Sequence, residues 1–239
     1  MHFLDTAYTT PAEQLACDDV LLDLCEEGKG DEVLRIWIPE ELFVVVGYTN
    51  EAEREVDLAA CAEAGIPLFR RTTGGGTVVQ GPGCFNYALI MRQGMDPALA
   101  TITGTNRFVL GRLAATLTSL LGREVAMRGH TDLALGEKKF AGNAQRRRGH
   151  SILFHGTLLL DFDIRIIERL LSLPSTQPGY RHGRSHADFL TNLHAAAADV
   201  SGALRRCWNA TAAGAAPPLD RIRRLARERY QDPAWIYRR

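Results

Sequence analysis

The sequence predicts a mixed α+β domain, and three observations carry that expectation. Strand-like and helical stretches are interspersed without the regular β-α-β alternation of a doubly wound sheet. Several strand-like pieces follow one another between residues 124 and 160, and helical patterns take over after them. The chain has 239 residues, 46% hydrophobic and 23% charged, enough to bury a sizeable core as one large domain with or without a small appendage.

In chain order, Thr10 and Pro11 supply the N-cap and first residue of a helix over 11–25, with Leu15, Leu22 and Cys25 at helical spacing and Gly28 and Gly30 ending it. Residues 33–38 alternate as a half-buried strand, and 43–47 form the continuous apolar run of a buried one. A helix over 51–64, closed by Gly65, leads to a strand over 66–69. After a glycine-rich stretch come a strand over 85–91 and a long helical segment over 97–121, whose apolar face holds Phe108, Leu110, Leu113 and Leu117 and which Gly122 stops. Strands are expected at 124–127, 132–135, 139–145 and 151–160, and helices at 164–171, 187–194 and 200–208. Residues 212–218 read as a linker and 219–230 as an arginine-rich helix. The expected division is a domain over 1–208 followed by a linker and short helix over 209–239, without a full accessory domain.

Composition sets aside several classes. No run of 18 apolar residues occurs, and Met1-His-Phe-Leu-Asp5 lacks the basic start of a signal peptide, so neither membrane nor secretion is expected. Formal net charge is zero, and nothing global points to nucleic acid. The five cysteines at 17, 25, 61, 84 and 207 never form a Cys-x-x-Cys pair, which fits a reducing cytoplasm without a zinc knuckle or disulfide framework. Only three of the 28 basic residues are lysines, at 29, 138 and 139, so a lysine kept in a chain that otherwise spells arginine suggests a need for a compact point charge.

The stretch from Arg70 to Tyr87 reads Arg-Arg-Thr-Thr-Gly-Gly-Gly-Thr-Val-Val-Gln-Gly-Pro-Gly-Cys-Phe-Asn-Tyr. A glycine triplet held between two buried strands can form a concave nest of backbone N–H groups for an anion, with Arg70 and Arg71 adding charge; a flexible hairpin is the plainer reading. Asp132 in Arg128-Gly-His-Thr-Asp-Leu133 is either a solvated turn residue or a site carboxylate. In Lys138–Arg146, strand alternation puts Lys139, Ala141 and Asn143 on one face, where a lysine beside small residues can lean over a ligand. His155 opens an apolar strand as a structural histidine or as an acid–base group. Cys84 is either a small buried hydrophobe or a nucleophile. The Arg146-Arg-Arg148 run is a charged hairpin tip or a contact for phosphates or an acidic protein.

In order, Arg-Arg-Thr-Thr-Gly-Gly-Gly-Thr-Val-Val at 70–79, Gly-x-x-Asp-Leu at 129–133, Lys-Phe-Ala-Gly-Asn-Ala-Gln at 139–145 and His-Gly-Thr-Leu-Leu at 155–159 resemble the lipoate-protein ligase A catalytic domain. That domain belongs to the biotin/lipoate ligase and octanoyltransferase superfamily. The likeness runs from about Gln14 to about Leu193 and implies mixed, mostly antiparallel sheets flanked by helices. It implies an ATP- and Mg²⁺-dependent enzyme that activates lipoate or octanoate and transfers it to a lysine of an apo lipoyl domain or glycine-cleavage H protein, with room for a separate small accessory subunit. By the same resemblance, Arg70, Gly74, Gly75 and Gly76 form the cradle and Lys139 clamps the reacting carboxyl. Thr77, Asn86, Asp132, Gly142, Asn143, His155 and Gly156 belong to the substrate or adenylate site, and Asp132 is the contact for nucleotide or Mg²⁺.

Three departures qualify it. Gly129-His-Thr-Asp132 stands where ligases often show Arg-Asn-Asp, Gln80-Gly81 replaces His-Asp, and Cys84 takes the place of an asparagine. Octanoyltransferases of the superfamily use no ATP and form a thioester on a cysteine, which leaves Cys84 as the one alternative nucleophile near the site. A non-catalytic subunit that binds a lipoyl domain or acyl-adenylate is the third reading. A biotin ligase fits less well, because its Gly-Arg-Gly-Arg loop is replaced by Thr72-Thr73-Gly-Gly-Gly.

Overall fold

A computed structural model describes residues 1–238. Its strands are β1 (His2–Leu4), β2 (Val33–Trp37), β3 (Phe43–Val46), β4 (Leu68–Arg70), β5 (Val78–Gln80), β6 (Cys84–Arg92), β7 (Ala126–Arg128), β8 (Asp132–Leu135), β9 (Lys138–Arg148), β10 (Ser151–Leu159) and β11 (Ala212–Ala213). Its helices are α1 (Pro11–Glu26), α2 (Ala52–Glu55), α3 (Leu58–Glu63), α4 (Ile102–Leu121), α5 (Ile164–Leu170), α6 (His186–Phe189), α7 (Ala197–Cys207), α8 (Leu219–Leu225) and α9 (Pro233–Ile236), with a π turn over Ala226–Tyr230. None is long and apolar enough to cross a membrane.

Two sheets form, as the α+β expectation requires. The larger has the order β11-β1-β2-β6-β10-β9-β8-β7, antiparallel from β2 onward and parallel at the β11-β1-β2 edge. The smaller has the order β4-β3-β5. One face of the large sheet packs Leu34, Leu89 and Phe154 against Leu110, Leu113 and Leu117 of α4 and Leu204 of α7. Its other face packs Ala88, Ile90 and Leu153 against α1. Thr10 caps α1 by accepting from Glu13 N, as expected, and Thr101 and Gly122 bound α4.

Several expectations change. The single helix over 51–64 is two short ones, because Val56 is extended and bridges Leu171. The helix over 187–194 shrinks to α6, since Leu190 pairs with Lys139 and Thr191 N donates to Lys139 O at 2.9 Å. The two strands that flank the glycine-rich stretch lie in different sheets: the stretch itself links β4 to β5 on either side of β3, and β6 belongs to the large sheet. The segment after residue 208 is also less linker-like than its composition suggests. β11 extends the large sheet, and Ile222, Ala226 and Tyr230 pack into the core around α1. Arg221, Arg223 and Arg229 reach Glu27, Glu13 and Asp19 of that helix.

Candidate active site

A cavity of about 650 Å³ opens between the small sheet and the α1 side of the large one. Its walls come from β3, the β4–β5 loop, β6, β8, β9, β10 and the segment from Pro174 to Leu190.

Lys139 reaches this cavity through a bulge. Asp132 pairs with Gly142 and Leu133 with Ala141, but Ala134 pairs with Lys139, so Phe140 is an extra residue in β9. Strict alternation would leave Lys139 with Ala141 and Asn143. The bulge instead turns it to the face of Asp132 and Gly142, correcting the shared face expected from the sequence. Lys139 Nζ lies 2.8 Å from Asp132 Oδ1. A Cβ at Gly142 would stand 3.0 Å from Nζ and 3.2 Å from Cε, so only glycine lets the ammonium lie across the strand here.

Asp132 is buried, and both its oxygens are used. Tyr180 donates to Oδ2 at 2.9 Å while Lys139 holds Oδ1. Burial first, and the Asp132 carboxylate second, push the Tyr180 hydroxyl well above the ordinary tyrosine range, so it stays a donor. Among the described residues no group of three His, Cys, Asp or Glu side chains could hold a metal. Asp132, expected as a contact for nucleotide or Mg²⁺, thus lines the cavity with its carboxylate shared between Lys139 and Tyr180.

The glycine loop borders this cavity, and its two arginines exchange places relative to expectation. Gly75, Gly76 and Thr77 line the cavity, whereas Gly74 does not. Gly75 has φ +87°, a conformation that favours glycine. Arg70, expected in the cradle, is fully buried and tied down. Its Nη1 donates to Gly47 O, Tyr48 O and Asn50 O, its Nε to Trp235 O and Ile236 O, and its Nη2 to Arg238 O. It joins the β3–α2 turn to the C-terminal segment. Of these two arginines it is Arg71 that lines the cavity. Its Nη2 donates to Gly74 O and Gly76 O at 2.7 Å, and burial pulls its pKa down to about 10. It has no carboxylate within ion-pair distance among the described residues; the buried Glu55, also on the cavity wall, acts on it from further away and only partly offsets the burial. The Thr77 hydroxyl beside it is buried without a partner.

Three polar groups close a ring on the adjoining wall. Gln80 Nε2 donates to Thr157 Oγ1 (2.7 Å), Thr157 donates to Asn86 Oδ1 (2.5 Å), and Asn86 Nδ2 donates to Gln80 Oε1 (2.9 Å). This couples the two sheets at the cavity and gives Gln80, a departure from the family pattern, a definite place. His155 also lines the cavity; its Nε2 is 2.7 Å from Thr73 Oγ1 and its Nδ1 3.7 Å from Asp18 Oδ2. Burial would raise the Asp18 carboxyl, but Arg35 at 2.6 Å, with His155, outweighs it and holds the pKa below the ordinary range. The histidine thus anchors the start of the glycine loop to α1. Asn143 borders the cavity while its carboxamide is committed elsewhere, accepting from Tyr87 at 2.5 Å and donating to Thr131 O at 2.7 Å. A Cβ at Gly156 would collide with that carboxamide.

Cys84 stands apart. Its thiol is buried in the core around the small sheet, does not line the cavity, and is pushed up to about 12 by burial. Sequence reasoning missed Asp18, Tyr180 and Arg181 as parts of the cavity's surroundings. For Asp18 a signal existed, since Asp18 and Asp19 fall within the buried side of an apolar helix, where an acid needs a partner. Tyr180 and Arg181 lie in a segment without periodicity.

With this geometry in view, the comparisons with known proteins converge. The sequence profile of the lipoyl protein ligase A/B catalytic domain matches residues 10–203. The chain belongs to this family. Among lipoyl ligase relatives, a protein of Aeropyrum pernix provisionally named lipoate-protein ligase A is 32% identical over 70% of this chain, which spans 61% of that relative's length. The octanoyltransferase LipM of Symbiobacterium thermophilum is 30% identical, over 90% of this chain and 85% of its own. The fold is that of solved lipoate-protein ligases. A lipoate-protein ligase A bound with ATP superposes with a TM-score of 0.80 at 24% identity, covering 99% and 98% of the two chains. The bipartite ligase of Thermoplasma acidophilum, described with its E2 lipoyl domain, gives 0.80 at 22% identity, covering 99% and 95%.

Proposed function

We propose that this chain is an ATP-dependent lipoate-protein ligase, activating lipoate or octanoate to the acyl-adenylate and passing the acyl group to a lysine of a lipoyl domain. The observation that carries the choice over an octanoyltransferase is that no cysteine lines the cavity among the described residues. Cys84, the alternative nucleophile, is buried with its pKa raised to about 12, so almost none of it is thiolate at neutral pH.

The cavity's charges support the same reading. Arg71, without a carboxylate partner, and the unpartnered Thr77 hydroxyl suit a phosphate lying against the glycine loop. ATP supplies the activating phosphate when bound; the carboxylate oxygen attacks the α-phosphorus and pyrophosphate leaves. Lys139, held over Gly142 by Asp132, stabilises the charge that builds on the reacting carboxyl and phosphate oxygens. The acceptor amine then attacks the acyl carbon, the acyl C–O bond breaks, and AMP carries the charge away. Apolar wall residues such as Leu15, Trp37, Val45 and Val78 suit an acyl chain. The acceptor is a lipoyl domain or glycine-cleavage H protein, and a separate small accessory subunit remains part of the proposal.

The test is isotope exchange between pyrophosphate and ATP. Exchange that requires octanoate or lipoate and disappears in Lys139→Ala is expected; absence of exchange with either acid refutes the ligase reading.

A further inference from the structure

Two adjacent carboxylates of α1, Asp18 and Asp19, are buried, and of the two only Asp18 lines the cavity. Asp18 is accounted for by Arg35 and His155. Asp19 faces a different set of partners. Its Oδ1 accepts from Thr72 Oγ1 at 2.7 Å and from Arg146 Nη1 at 3.3 Å. Its Oδ2 accepts from the Tyr230 hydroxyl at 2.8 Å and from Arg229 Nη1 at 3.1 Å. One carboxylate thus joins α1, the entry to the glycine loop, β9 and the C-terminal segment. Burial first, and the Asp19 carboxylate second, hold the Tyr230 hydroxyl well above the ordinary tyrosine range, so it stays a donor.

The glycine triplet has little packing of its own. A Cβ at Gly74 or Gly76 would meet nothing within 4 Å, and the residues just before the triplet carry the fixings instead. Arg70 O accepts from Trp235 Nε1 at 2.8 Å, and the Arg70 guanidinium donates to carbonyls of residues 235, 236 and 238. Thr72 is held by Asp19, Thr73 Oγ1 pairs with His155 Nε2, and Thr73 O accepts from Tyr48 N at 2.9 Å. The same C-terminal segment stacks on Tyr48. The Tyr48 and Trp235 ring centroids lie 5.9 Å apart, with the Arg238 guanidinium carbon 4.2 Å from the first and 5.0 Å from the second. Arg229 lies 5.4 Å from the Trp235 ring. One segment therefore holds the loop twice, at its start through Arg70 and two residues later through Asp19.

We infer that Asp19 is a positioning residue for the glycine loop, and that the segment from Arg229 to Arg238 sets the shape of the loop through it and through Arg70. Neither Asp19 nor Thr72 lines the cavity, so both act through the loop rather than on a ligand. Backbone N–H groups that converge on an anion need a fixed entry, because unanchored glycines explore many conformations. The clamp itself does not rest on the ligase reading; its consequence for ATP does.

The experiment is residue-resolved amide hydrogen exchange by NMR on the full chain. Wild type is compared with Thr72→Val, Thr72→Ser, Tyr230→Phe and the double variant Thr72→Val/Tyr230→Phe, with melting curves as a check on folding. The reporter is the Tyr48 amide, bonded to Thr73 O; the Gly122 amide, bonded to Thr118 O at the end of α4, reports opening elsewhere. Loss of a hydroxyl bond to a buried carboxylate should speed exchange at Tyr48 about tenfold or more in Thr72→Val, and Thr72→Ser should restore it. Tyr230→Phe should speed it about threefold, and should add nothing in the Thr72→Val background, because its route to the loop runs through Asp19. Wild-type exchange at Tyr48 in Thr72→Val overturns the clamp, and so does an equal rise at Gly122. Effects that multiply in the double variant overturn the link to the C-terminal segment. If Thr72→Val does not fold, wild-type exchange at Tyr48 in Tyr230→Phe overturns that link just as well. On the ligase reading, KM for ATP should rise about tenfold in Thr72→Val and recover in Thr72→Ser, with KM for octanoate unchanged; a fall in kcat alone overturns the positioning role. Faster exchange at Tyr48 in Thr72→Val, in a chain whose wild type shows no acid-dependent isotope exchange, supports the clamp and removes the ligase reading instead.

Discussion

Gly142→Ala asks whether the placement of Lys139 matters independently of its presence. The added methyl would stand 3.0 Å from Lys139 Nζ and 3.2 Å from Cε, contacts tight enough that one partner must move. Gly142 lies in β9 without positive φ, so alanine is allowed by the backbone, and the flexible lysine tip is what gives way. Losing the lysine–aspartate contact costs about 1 kcal/mol, since Lys139 is a quarter exposed, and removing a strand glycine returns roughly 0.5–1 kcal/mol. Stability should therefore barely change. An ammonium displaced by about 1 Å from a reacting carboxyl loses on the order of 100-fold in rate. The assay is single-turnover formation of acyl-adenylate from octanoate and ATP, with melting curves measured in parallel. A rate within twofold of wild type at unchanged stability would refute the role given to the lysine's position.

Four further outcomes follow from the same geometry. Gly156→Ala forces a methyl into the buried Asn143 carboxamide and the Gly142 carbonyl, so it should destabilise by roughly 2–3 kcal/mol in denaturant titration, unlike Gly142→Ala. Arg70→Met orphans carbonyls of residues 47–50 and 235–238 and should cost roughly 2–4 kcal/mol; a neutral melting curve would contradict its structural role. Cys84→Ser should retain acyl transfer, and its loss would reinstate a thioester route. Bonds from Arg221, and secondarily Lys29, hold the exposed Glu27 carboxyl down to about 2 from the ordinary 4.5. A depressed carboxyl stabilises the folded chain above the ordinary value and loses that contribution as pH falls through its own. Arg221→Met should thus melt slightly below wild type at neutral pH, with the gap closing between about 4.5 and about 2; a gap independent of pH would exclude the linkage.

How far the sequence carried depended on periodicity. Apolar runs such as Phe43–Val46 and the capped helices α1 and α4 were legible because burial and caps leave local signatures. The cavity's glycines and lysine were legible because they stand in ordered motifs. What failed was long-range. The bulge at Phe140, which turns Lys139 toward Asp132, depends on pairing with β8 and leaves no mark in β9 itself. The exchange between Arg70 and Arg71 could not be read either, since what occupies Arg70 is a set of backbone carbonyls more than 160 residues away and a neighbouring turn. Arg181 sits in a segment whose shape comes from two left-handed residues and an arginine clamp.

Intact-mass measurement of an apo lipoyl domain incubated with the chain, octanoate, ATP and Mg²⁺ reaches the ligase reading most directly. An octanoyl mass gain that requires ATP is expected, unchanged in Cys84→Ser. A gain that needs no ATP, drawn from an octanoyl-carrier protein and lost in Cys84→Ser, would contradict it.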